Sequence, residues 1–352
     1  MAYTTINKST SYFNTKLYTG DGGTNNPQTG VGFKPDWLWF KRRSGSGNHF
    51  AADVVRGTYA DGYKLIVPND TDAQADYTYV KSLDSDGFTL GSTNTNVNGN
   101  NETYVGWSWL AGGSQGSSNT DGSTNTLYTS VNTTAGFSIS TYTGTGSAAT
   151  IGHGLGVAPK MIIVKRISST DSWTVGHDSM GWGKYLRLDT TAAEASNTST
   201  WNNTAPTSTV FSVNHDDTNA NGVTFVVYCF ADKIGYSKFG SYIGNSSTDG
   251  TFVYTGFKPS FVIYKGRSGT GATDNWEMVD NKRSPSNGVE NVLYPNLANA
   301  EGTGVTTRMD LLSNGFKMRT SGGDYNNSSG NYIYMAFGQT LVGSNNIPCN
   351  AR

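Results

Sequence analysis

The sequence predicts an all-β protein made of three tandem copies of an antiparallel β-sandwich module of jelly-roll type. The prediction rests on the composition and on a motif that recurs three times at equal spacing. Gly contributes 44 of the 352 residues and charged residues only 14 %, and Gly, Ser and Asn disfavour helices because they favour turns. The aromatic share of 12 % is too high for a disordered chain.

Net charge and hydropathy exclude several classes of function. The net charge of −1 gives a phosphate backbone no electrostatic partner, so we expect no nucleic-acid binding. No apolar run approaches the length of a membrane-spanning helix, so we expect no membrane insertion. The two cysteines, Cys229 and Cys349, form neither a disulfide framework nor a metal cluster, and no cofactor is expected.

The recurring motif combines a Tyr-x-Gly, a proline and a lysine. In each copy Tyr stands 17 residues before Pro, and Lys stands six residues after it. The three sets are Tyr18, Pro35 and Lys41; Tyr142, Pro159 and Lys165; and Tyr242, Pro259 and Lys265. Equal spacing of so many residue types predicts three modules. Their boundaries are 1–113, 129–235 and 236–341, with a Gly/Ser/Asn-rich linker or long loop at 114–128 and a C-terminal tail at 342–352.

Within one module the strands are predicted in order. The run after the proline is apolar on both faces, which is typical of a strand buried on both sides. The proline stands at the strand entrance, and the glycine three residues before it suits a turn with positive φ. The closing strand, at 332–337 in the third copy, should lie beside this central strand. Runs beginning at Gly87 and Gly315 predict a further strand after a tight turn. The stretch 189–195 fits either a loop or one helical turn.

An aspartate follows the repeated lysine in every copy, at Asp53, Asp178 and Asp280. Because an active site rarely occurs three times in one chain, we predict a structural role for both residues. They would form a partly buried Lys–Asp ion pair, or the charges would block pairing at a strand edge.

Four tryptophans alternate along two strands of the first copy. Trp37 and Trp39 share one face of the first strand, and Trp107 and Trp109 share one face of the second. Packing in the core is the preferred interpretation. The alternative is an exposed aromatic platform on which sugars stack.

The remaining candidate sites are sparse. Asp217, Asn219 and Asn221 match the first half of a calcium loop, but its twelfth position is Tyr228 instead of Glu. An Asn/Gly hairpin turn is therefore preferred, with a weak Ca²⁺ site as the alternative. The stretch 112–116 matches G-x-S-x-G by chance within a Gly/Ser-rich segment. The four histidines show no metal-binding spacing and are predicted to lie in loops or at strand edges: His49, His153, His177 and His215.

Several segments of the chain carry a family resemblance. They are Gly-Phe-Lys-Pro-Asp-x-x-Trp-x-Lys at 32–41 and the segments 53–57, 85–91, 104–113, 332–337 and 347–352. In these the module resembles a β-rich repeat domain of virion structural and tail fibre proteins from marine tailed phages, including cyanophage-like ones. The resemblance is good over the first copy, partial over the third and weak over the second.

The resemblance implies a protein of the virion surface, on the tail or the capsid exterior, with no catalytic residues to carry over. A tail-associated fibre or fibre tip that contacts the host surface is the first hypothesis. A capsid decoration or capsid-fibre protein is the second, favoured by how soon the first copy follows residue 1. A glycan-active enzyme is a remote third. The expected partners are other virion proteins and host surface polysaccharide. Three modules in one chain fit either a pseudo-threefold disc or a rod that forms homotrimers.

Overall fold

Antiparallel β-sheets make up the computed structural model, which describes residues 4–59, 61–269, 274–303 and 307–340. The all-β prediction is confirmed. The C-terminal tail predicted at 342–352, with Cys349, lies outside the described residues. Four single-turn helices occur among the described residues: the 3-10 helices Ser9–Ser11 and Asp178–Met180, and the α-helices α1 (Asp216–Asn219) and α2 (Gly323–Asn326).

The first sheet pair contains strands β1 to β10. They are β1 (Phe13–Thr19), β2 (Asn26–Thr29), β3 (Trp37–Arg42), β4 (Phe50–Asp53), β5 (Thr58–Tyr59), β6 (Gly62–Ile66), β7 (Ala75–Asp76), β8 (Val80–Asp84), β9 (Gly87–Leu90) and β10 (Thr103–Trp109). The large sheet has the order β1-β10-β3-β4-β6-β5, with β7 also paired to β6, and the small sheet has the order β2-β9-β8.

The second sheet pair contains strands β11 to β19. They are β11 (Tyr128–Asn132), β12 (Phe137–Thr143), β13 (Ala149–Gly152), β14 (Met161–Arg166), β15 (Thr174–His177), β16 (Lys184–Arg187), β17 (Ala195–Ser196), β18 (Val210–Val213) and β19 (Thr224–Phe230). The large sheet has the order β11-β12-β19-β14-β15-β16-β17, and the small sheet pairs β13 with β18. The stretch 189–195 is a loop that leads into β17.

The third sheet pair contains strands β20 to β26. They are β20 (Ser237–Ile243), β21 (Phe252–Tyr254), β22 (Lys258–Ser268), β23 (Trp276–Asp280), β24 (Met309–Leu312), β25 (Gly315–Met318) and β26 (Asn331–Gln339). The large sheet has the order β20-β26-β22-β23, and the small sheet has the order β21-β25-β24.

The strand that follows each repeated proline occupies the same place in its large sheet. Each of β3, β14 and β22 lies between the closing strand and the next strand along the chain. The predicted neighbourhood of the central and closing strands is therefore confirmed. The glycines before the prolines have φ of +93° at Gly32, +71° at Gly156 and +84° at Gly256, as the turn prediction requires.

Each large sheet buries both of its faces. In the second pair, Ile162 and Val164 pack with Phe211 of the small sheet, while Met161 and Ile163 point to a core shared with the other pairs. Two-sided burial explains why the central strands lack the polar–apolar alternation of a half-exposed strand.

Aromatic rings from all three large sheets meet in the shared core. Phe13 stacks on Phe337 with centroids 5.2 Å apart, and Trp37 stacks on Tyr228 at 4.5 Å. Phe230 of the second pair meets Phe337 of the third edge to face at 6.2 Å. Because burial of apolar area is the main favourable term in folding, this core stabilises the three pairs together.

The Gly/Ser/Asn-rich stretch predicted as a linker or long loop is hydrogen-bonded to the second sheet pair. Thr124 forms a parallel bridge with Ile151 of β13. The amide of Leu127 donates to the carbonyl oxygen of Thr141 in β12 (2.7 Å). The stretch therefore extends both sheets of the second pair.

Candidate functional site

The three repeated lysines are buried, and each ammonium group donates hydrogen bonds to backbone carbonyl oxygens. The acceptors are Arg42 for Lys41 (2.7 Å); Asp171 (2.7 Å) and Thr71 (2.8 Å) for Lys165; and Asp274 (2.6 Å) and Thr191 (3.0 Å) for Lys265. Thr71 belongs to the first sheet pair and Thr191 to the second, so two of these lysines join one pair to the next. Loss of hydration on burial lowers the pKa of each lysine to about 8.

The predicted Lys–Asp ion pair is wrong. Pairing of β22 with β23 sets Lys265 and Asp280 four positions apart along the sheet, about 13 Å at the strand rise. Asp280 instead binds Arg283, three residues on, at 2.5 Å from Nε to Oδ2. Asp53 binds Arg56 in the same way at 2.6 Å. The Asp-x-x-Arg spacing at 53–56 and 280–283 was the sequence signal for these buried pairs.

A histidine stands in the second sheet pair where the other two have this aspartate. His177 has the same place in the pairing register as Asp53 and Asp280. Asp178, predicted as their counterpart, is one residue out of register and pairs with Lys160 near the surface at 2.8 Å. The substitution removes a buried charge from this position of the second pair.

These three positions link each sheet pair to another. The hydrogen bonds join Tyr228 Oη to Asp53 Oδ2 (2.7 Å), Trp107 Nε1 to Asp280 Oδ2 (3.0 Å), and His177 Nε2 to the carbonyl oxygen of Tyr334 (3.3 Å). The second pair thus binds the first, the first binds the third, and the third binds the second. We call this closed set of three hydrogen bonds the contact cycle.

A second set of contacts links the same sheet pairs in the same cyclic order. The indole of Trp173 donates to the carbonyl oxygen of Val67 (3.0 Å), and that of Trp276 donates to Arg187 (2.8 Å). His49 occupies the register position of these tryptophans and lies against the backbone of Tyr294. Each contact crosses from one sheet pair to another.

Burial keeps the two histidines and the tyrosine of these contacts neutral. Desolvation lowers the pKa of His177 to about 4 and that of His49 well below its usual value. Desolvation, followed by the charge of Asp53, raises the pKa of Tyr228 well above 10. Near neutral pH these groups act as fixed hydrogen-bonding groups and not as proton carriers. The two histidines were predicted only to lie in loops or at strand edges. The structure shows that both are buried and have a structural role.

The four tryptophans of the first sheet pair lie in the core, and none is more than 1 % exposed. Trp37 and Trp39 face the shared core together with Trp107 and Trp109. The packing interpretation fits this arrangement. The alternative of an exposed sugar platform is wrong for these residues, because a stacking face must be open to the ligand.

The repeated tyrosines lie on the strand that pairs with the outer side of each closing strand, and they reach the loop before that closing strand. Each stacks on the closing strand, at 4.9, 5.2 and 4.7 Å, and donates its hydroxyl hydrogen to a backbone carbonyl. The stacked pairs are Tyr18 with Tyr104, Tyr142 with Phe225, and Tyr242 with Tyr332; the acceptors are Val97, Thr218 and Tyr325.

A buried asparagine follows each of these carbonyl acceptors, and the sequence analysis, which named Asn219 only as part of a calcium-loop match, missed this repeat. Asn98, Asn219 and Asn326 are all fully buried. The Asn219 side chain accepts from the Thr145 amide (2.9 Å), and the Asn326 side chain accepts from the Asn245 amide in the same way (3.0 Å). Each asparagine stands six residues before the aromatic residue on which the tyrosine stacks. That constant spacing was the available signal.

The residues of the calcium-loop match do not converge on one point. Asp217 and Asn219 belong to α1, where Asp217 binds Arg187 at 2.6 Å and Asn219 fixes the backbone at Thr145. Asn221 is exposed beyond the helix. In the described ranges, no three His, Cys, Asp or Glu side chains come together to hold a metal ion.

An open cleft of about 530 Å³ lies on the first sheet pair, away from the contact cycle. It presents hydroxyl groups, one aromatic ring, a carboxylate and an ammonium group. Its lining residues are Thr24, Thr58, Tyr59, Asp61, Gly62, Thr78, Lys81 and Gly91. Partial burial, with the carboxylates of Asp76 and Asp61, raises the pKa of Tyr59. Such a surface can hydrogen-bond a polyhydroxylated ligand and offer it a ring face.

No helix in the described part of the chain is long and apolar enough to cross a membrane.

Comparison with known proteins gives a family. No curated protein and no solved structure matches the chain. One family model, described as "Domain of unknown function (DUF7483)", matches residues 8–340, which include all three sheet pairs. The chain belongs to the DUF7483 family.

Proposed function

We propose that the chain contains three copies of one antiparallel β-sandwich module. The shared strand order of the large sheets supports this. So do the equivalent register positions of Asp53, His177 and Asp280, and the repeated Tyr–carbonyl–Asn arrangement. Cyclic order in the contacts between the pairs favours a pseudo-threefold disc over a rod, because a rod leaves its first and last modules apart.

We propose that the protein is a structural component of a phage virion, a tail-associated fibre or fibre tip that contacts the host surface. One observation carries the proposal: the repeated ionic and aromatic side chains hold the three sheet pairs together. Lys41, Lys165 and Lys265 are buried on carbonyl oxygens, and the Asp–Arg pairs are buried beside the core. A rigid protein with a polar surface is suited to binding a partner. We propose that it has no enzymatic activity.

The cleft beside Tyr59 and Asp61 is the surface that we propose contacts host polysaccharide. Purified protein should slow adsorption of the phage that encodes it, by competing for the receptor. Tyr59→Ser and Asp61→Asn should each weaken this competition, whereas Tyr128→Ser, on an exposed side chain elsewhere, should not. Adsorption that is unaffected by excess protein would contradict receptor binding.

The alternative proposal is a capsid decoration or capsid-fibre protein with a purely structural role. The cyclic contacts favour it in one respect, because a pseudo-threefold monomer fits a threefold axis of a shell or a trimeric fibre. Antibody labelling of virions separates the two positions: label on the tail supports the fibre proposal, and label on the capsid faces supports decoration. Sedimentation of the purified chain would show whether it is a monomer or a homotrimer. Release of reducing ends from host polysaccharide would contradict the absence of enzymatic activity.

A further inference from the structure

Four asparagines in the chain are followed directly by glycine: Asn98, Asn221, Asn287 and Asn314. Such a pair can lose ammonia without an enzyme, because glycine has no Cβ to keep its backbone nitrogen away from the asparagine side chain. We propose that Asn221 and Asn314 are sites of spontaneous deamidation in the folded protein, and that the fold protects Asn98 and Asn287. The proposal does not depend on the virion assignment.

The reaction requires no reactant other than water. The glycine amide nitrogen gives its proton to solvent and attacks the asparagine Cγ, which lies within the same short stretch of chain. The N–Cγ bond forms, the Cγ–Nδ2 bond breaks, and the departing nitrogen takes a proton from solvent and leaves as ammonia. Water then opens the resulting succinimide ring at one of its two carbonyl carbons. The site has exchanged an amide for a carboxylate and gained one negative charge.

Hydrogen bonds hold the side chain of Asn98, which is fully buried. Its Nδ2 donates to the Asp21 carboxylate (2.8 Å), and its Oδ1 accepts from the Asn26 side chain (2.7 Å). The amide of Gly99, which would have to attack, donates to the hydroxyl of Tyr104 (2.7 Å). Both reacting groups are therefore fixed in other contacts.

The side chain of Asn287 is held although the residue is exposed. Its Nδ2 donates to the Leu311 carbonyl oxygen (3.2 Å), and its Oδ1 accepts from the Leu311 amide (3.0 Å). These two bonds fix the side-chain amide against β24. Reaction with Gly288 would require both of them to break.

Asn221 and Asn314 lie in exposed turns, and neither side chain has a hydrogen-bond partner in the part of the chain that the structure describes. Asn314 belongs to the two-residue turn between β24 and β25, and Asn221 follows α1. The Gly222 amide donates to the Gly144 carbonyl oxygen (2.9 Å), so that turn must open before the nitrogen attacks. Local opening of a surface turn costs far less than global unfolding.

The first sheet pair contains the turn of Asn221 without the reactive dipeptide. Asn101 stands where Gly222 stands in the second pair: its amide donates to the Gly20 carbonyl oxygen (3.0 Å), and its φ is +61° against +71° for Gly222. The residue before it is Asn100. This turn therefore has an asparagine followed by a residue with a Cβ, and we expect it to react slowly.

The turn at Asn314 favours one of the two products. The Asn314 carbonyl oxygen accepts from the amides of Thr255 (3.0 Å) and Gly256 (3.1 Å). If water opens the ring at this carbonyl, the chain continues through Cγ and the carbonyl becomes a free carboxylate, in an isoaspartyl residue. The two amides would then bind a charged acceptor, which strengthens hydrogen bonds. In the equivalent turn of the first pair, the Asp86 carboxylate already binds two backbone amides (2.9 and 2.6 Å).

The test incubates the full chain at mildly alkaline pH and follows each asparagine by peptide mass spectrometry. In the folded protein, the peptides with Asn98 and Asn287 should react at least about tenfold more slowly than those with Asn221 and Asn314, because their hydrogen bonds must open first. In urea all four should react at similar rates, since each is followed by glycine. Enzymatic methylation of isoaspartyl groups should label the Asn314 peptide.

Variants provide matched controls. Gly222→Asn, which copies the first-pair turn, should slow the reaction of Asn221 at least about tenfold and leave Asn314 unaffected. Asn314→Gln keeps an amide but would need a six-membered ring, so position 314 should stop reacting. The proposal is overturned if Asn221 and Asn314 stay intact in the folded protein but react in urea. It is also overturned if Asn98 and Asn287 react as fast as these two in the folded protein.

Discussion

The hydroxyl of Tyr228 donates a 2.7 Å hydrogen bond to the carboxylate of Asp53, which lies 175 residues earlier in the chain. The same carboxylate binds Arg56. One buried oxygen atom of Asp53 therefore serves both its own sheet pair and the neighbouring one. The stability of the contact between the first and second pairs should depend on this tyrosine more than on any surface ion pair.

Tyr228→Phe should destabilise the protein. The substitution keeps the ring stacked on Trp37 but removes a hydrogen bond to a buried carboxylate, for which we expect a loss of about 1.5–3 kcal/mol. Urea unfolding measures the loss. Tyr128→Phe, in an exposed ring, is the matched control and should change little. Equal stability of the two variants would show that the Tyr228–Asp53 bond contributes nothing.

Asp53→Asn should be more damaging, because it leaves the guanidinium of Arg56 buried with no opposite charge. Removing one partner of a buried ion pair costs about 3–5 kcal/mol. Asp178→Asn breaks the half-exposed pair with Lys160 and should cost less than about 1 kcal/mol. Thermal unfolding of both variants checks the order. A smaller loss for Asp53→Asn would argue against the charge–charge role assigned to it.

The buried lysines should make stability rise with pH on the alkaline side. The pKa of Lys165 is about 8 in the folded protein against 10.5 for an ordinary lysine. Between these values the unfolded chain binds more protons, so the lysine contribution to the free energy of unfolding increases from pH 8 towards pH 10.5. Lys165→Met should reduce this slope, which urea unfolding at pH 7.5 and pH 9.5 measures.

The surface lysine Lys160 supplies the control for that measurement. Lys160→Met should leave the slope between pH 7.5 and pH 9.5 as it is in the parent protein. An unchanged slope in Lys165→Met would mean that burial does not perturb this ammonium group. A loss of stability that is the same at both pH values would reflect only the two carbonyl oxygens left without a donor.

Gly144→Ala should destabilise the second sheet pair. A Cβ at this position would lie 2.2 Å from the carbonyl oxygen of Ala220, so the backbone at the Tyr-x-Gly turn would have to move. Gly323→Ala is the control, because nothing lies within 4 Å of its Cβ position in α2. Alanine there should be neutral or slightly stabilising, since it favours helix. Similar melting temperatures for the two variants would contradict the close approach.

Much of the strand content could be predicted from residue pattern because it depends on local chemistry. A run such as 161–164 is apolar at every position, and a strand that is buried on both faces removes all of these side chains from water. Tyr142 stands 17 residues before Pro159, and the other two tyrosines stand at the same distance before their prolines. This spacing reflects one local arrangement, in which the tyrosine reaches the loop before the closing strand. The constant Asn-to-aromatic spacing belongs to the same arrangement and could have been recognised in the same way.

The contacts of the buried lysines, and those between sheet pairs, could not be predicted in this way. Lys265 and Asp280 looked like a pair because they recur together, but the strand register separates them. Which groups meet at Asp53 depends on how two sheet pairs dock across 175 residues of chain. Docking of this kind depends on complementary surfaces formed only after folding, and no local pattern encodes it.

By itself, the sequence determined the all-β class, the pairing of the central with the closing strands and the positions of the repeated turns, since backbone preference and side-chain alternation act over a few residues. The tertiary structure alone decided the rest: which groups of a neighbouring sheet pair meet Asp53 and Asp280, and that the tryptophans face a core shared by the three pairs. These features depend on contacts between segments a hundred or more residues apart. Their energies come from burial and register in the assembled protein.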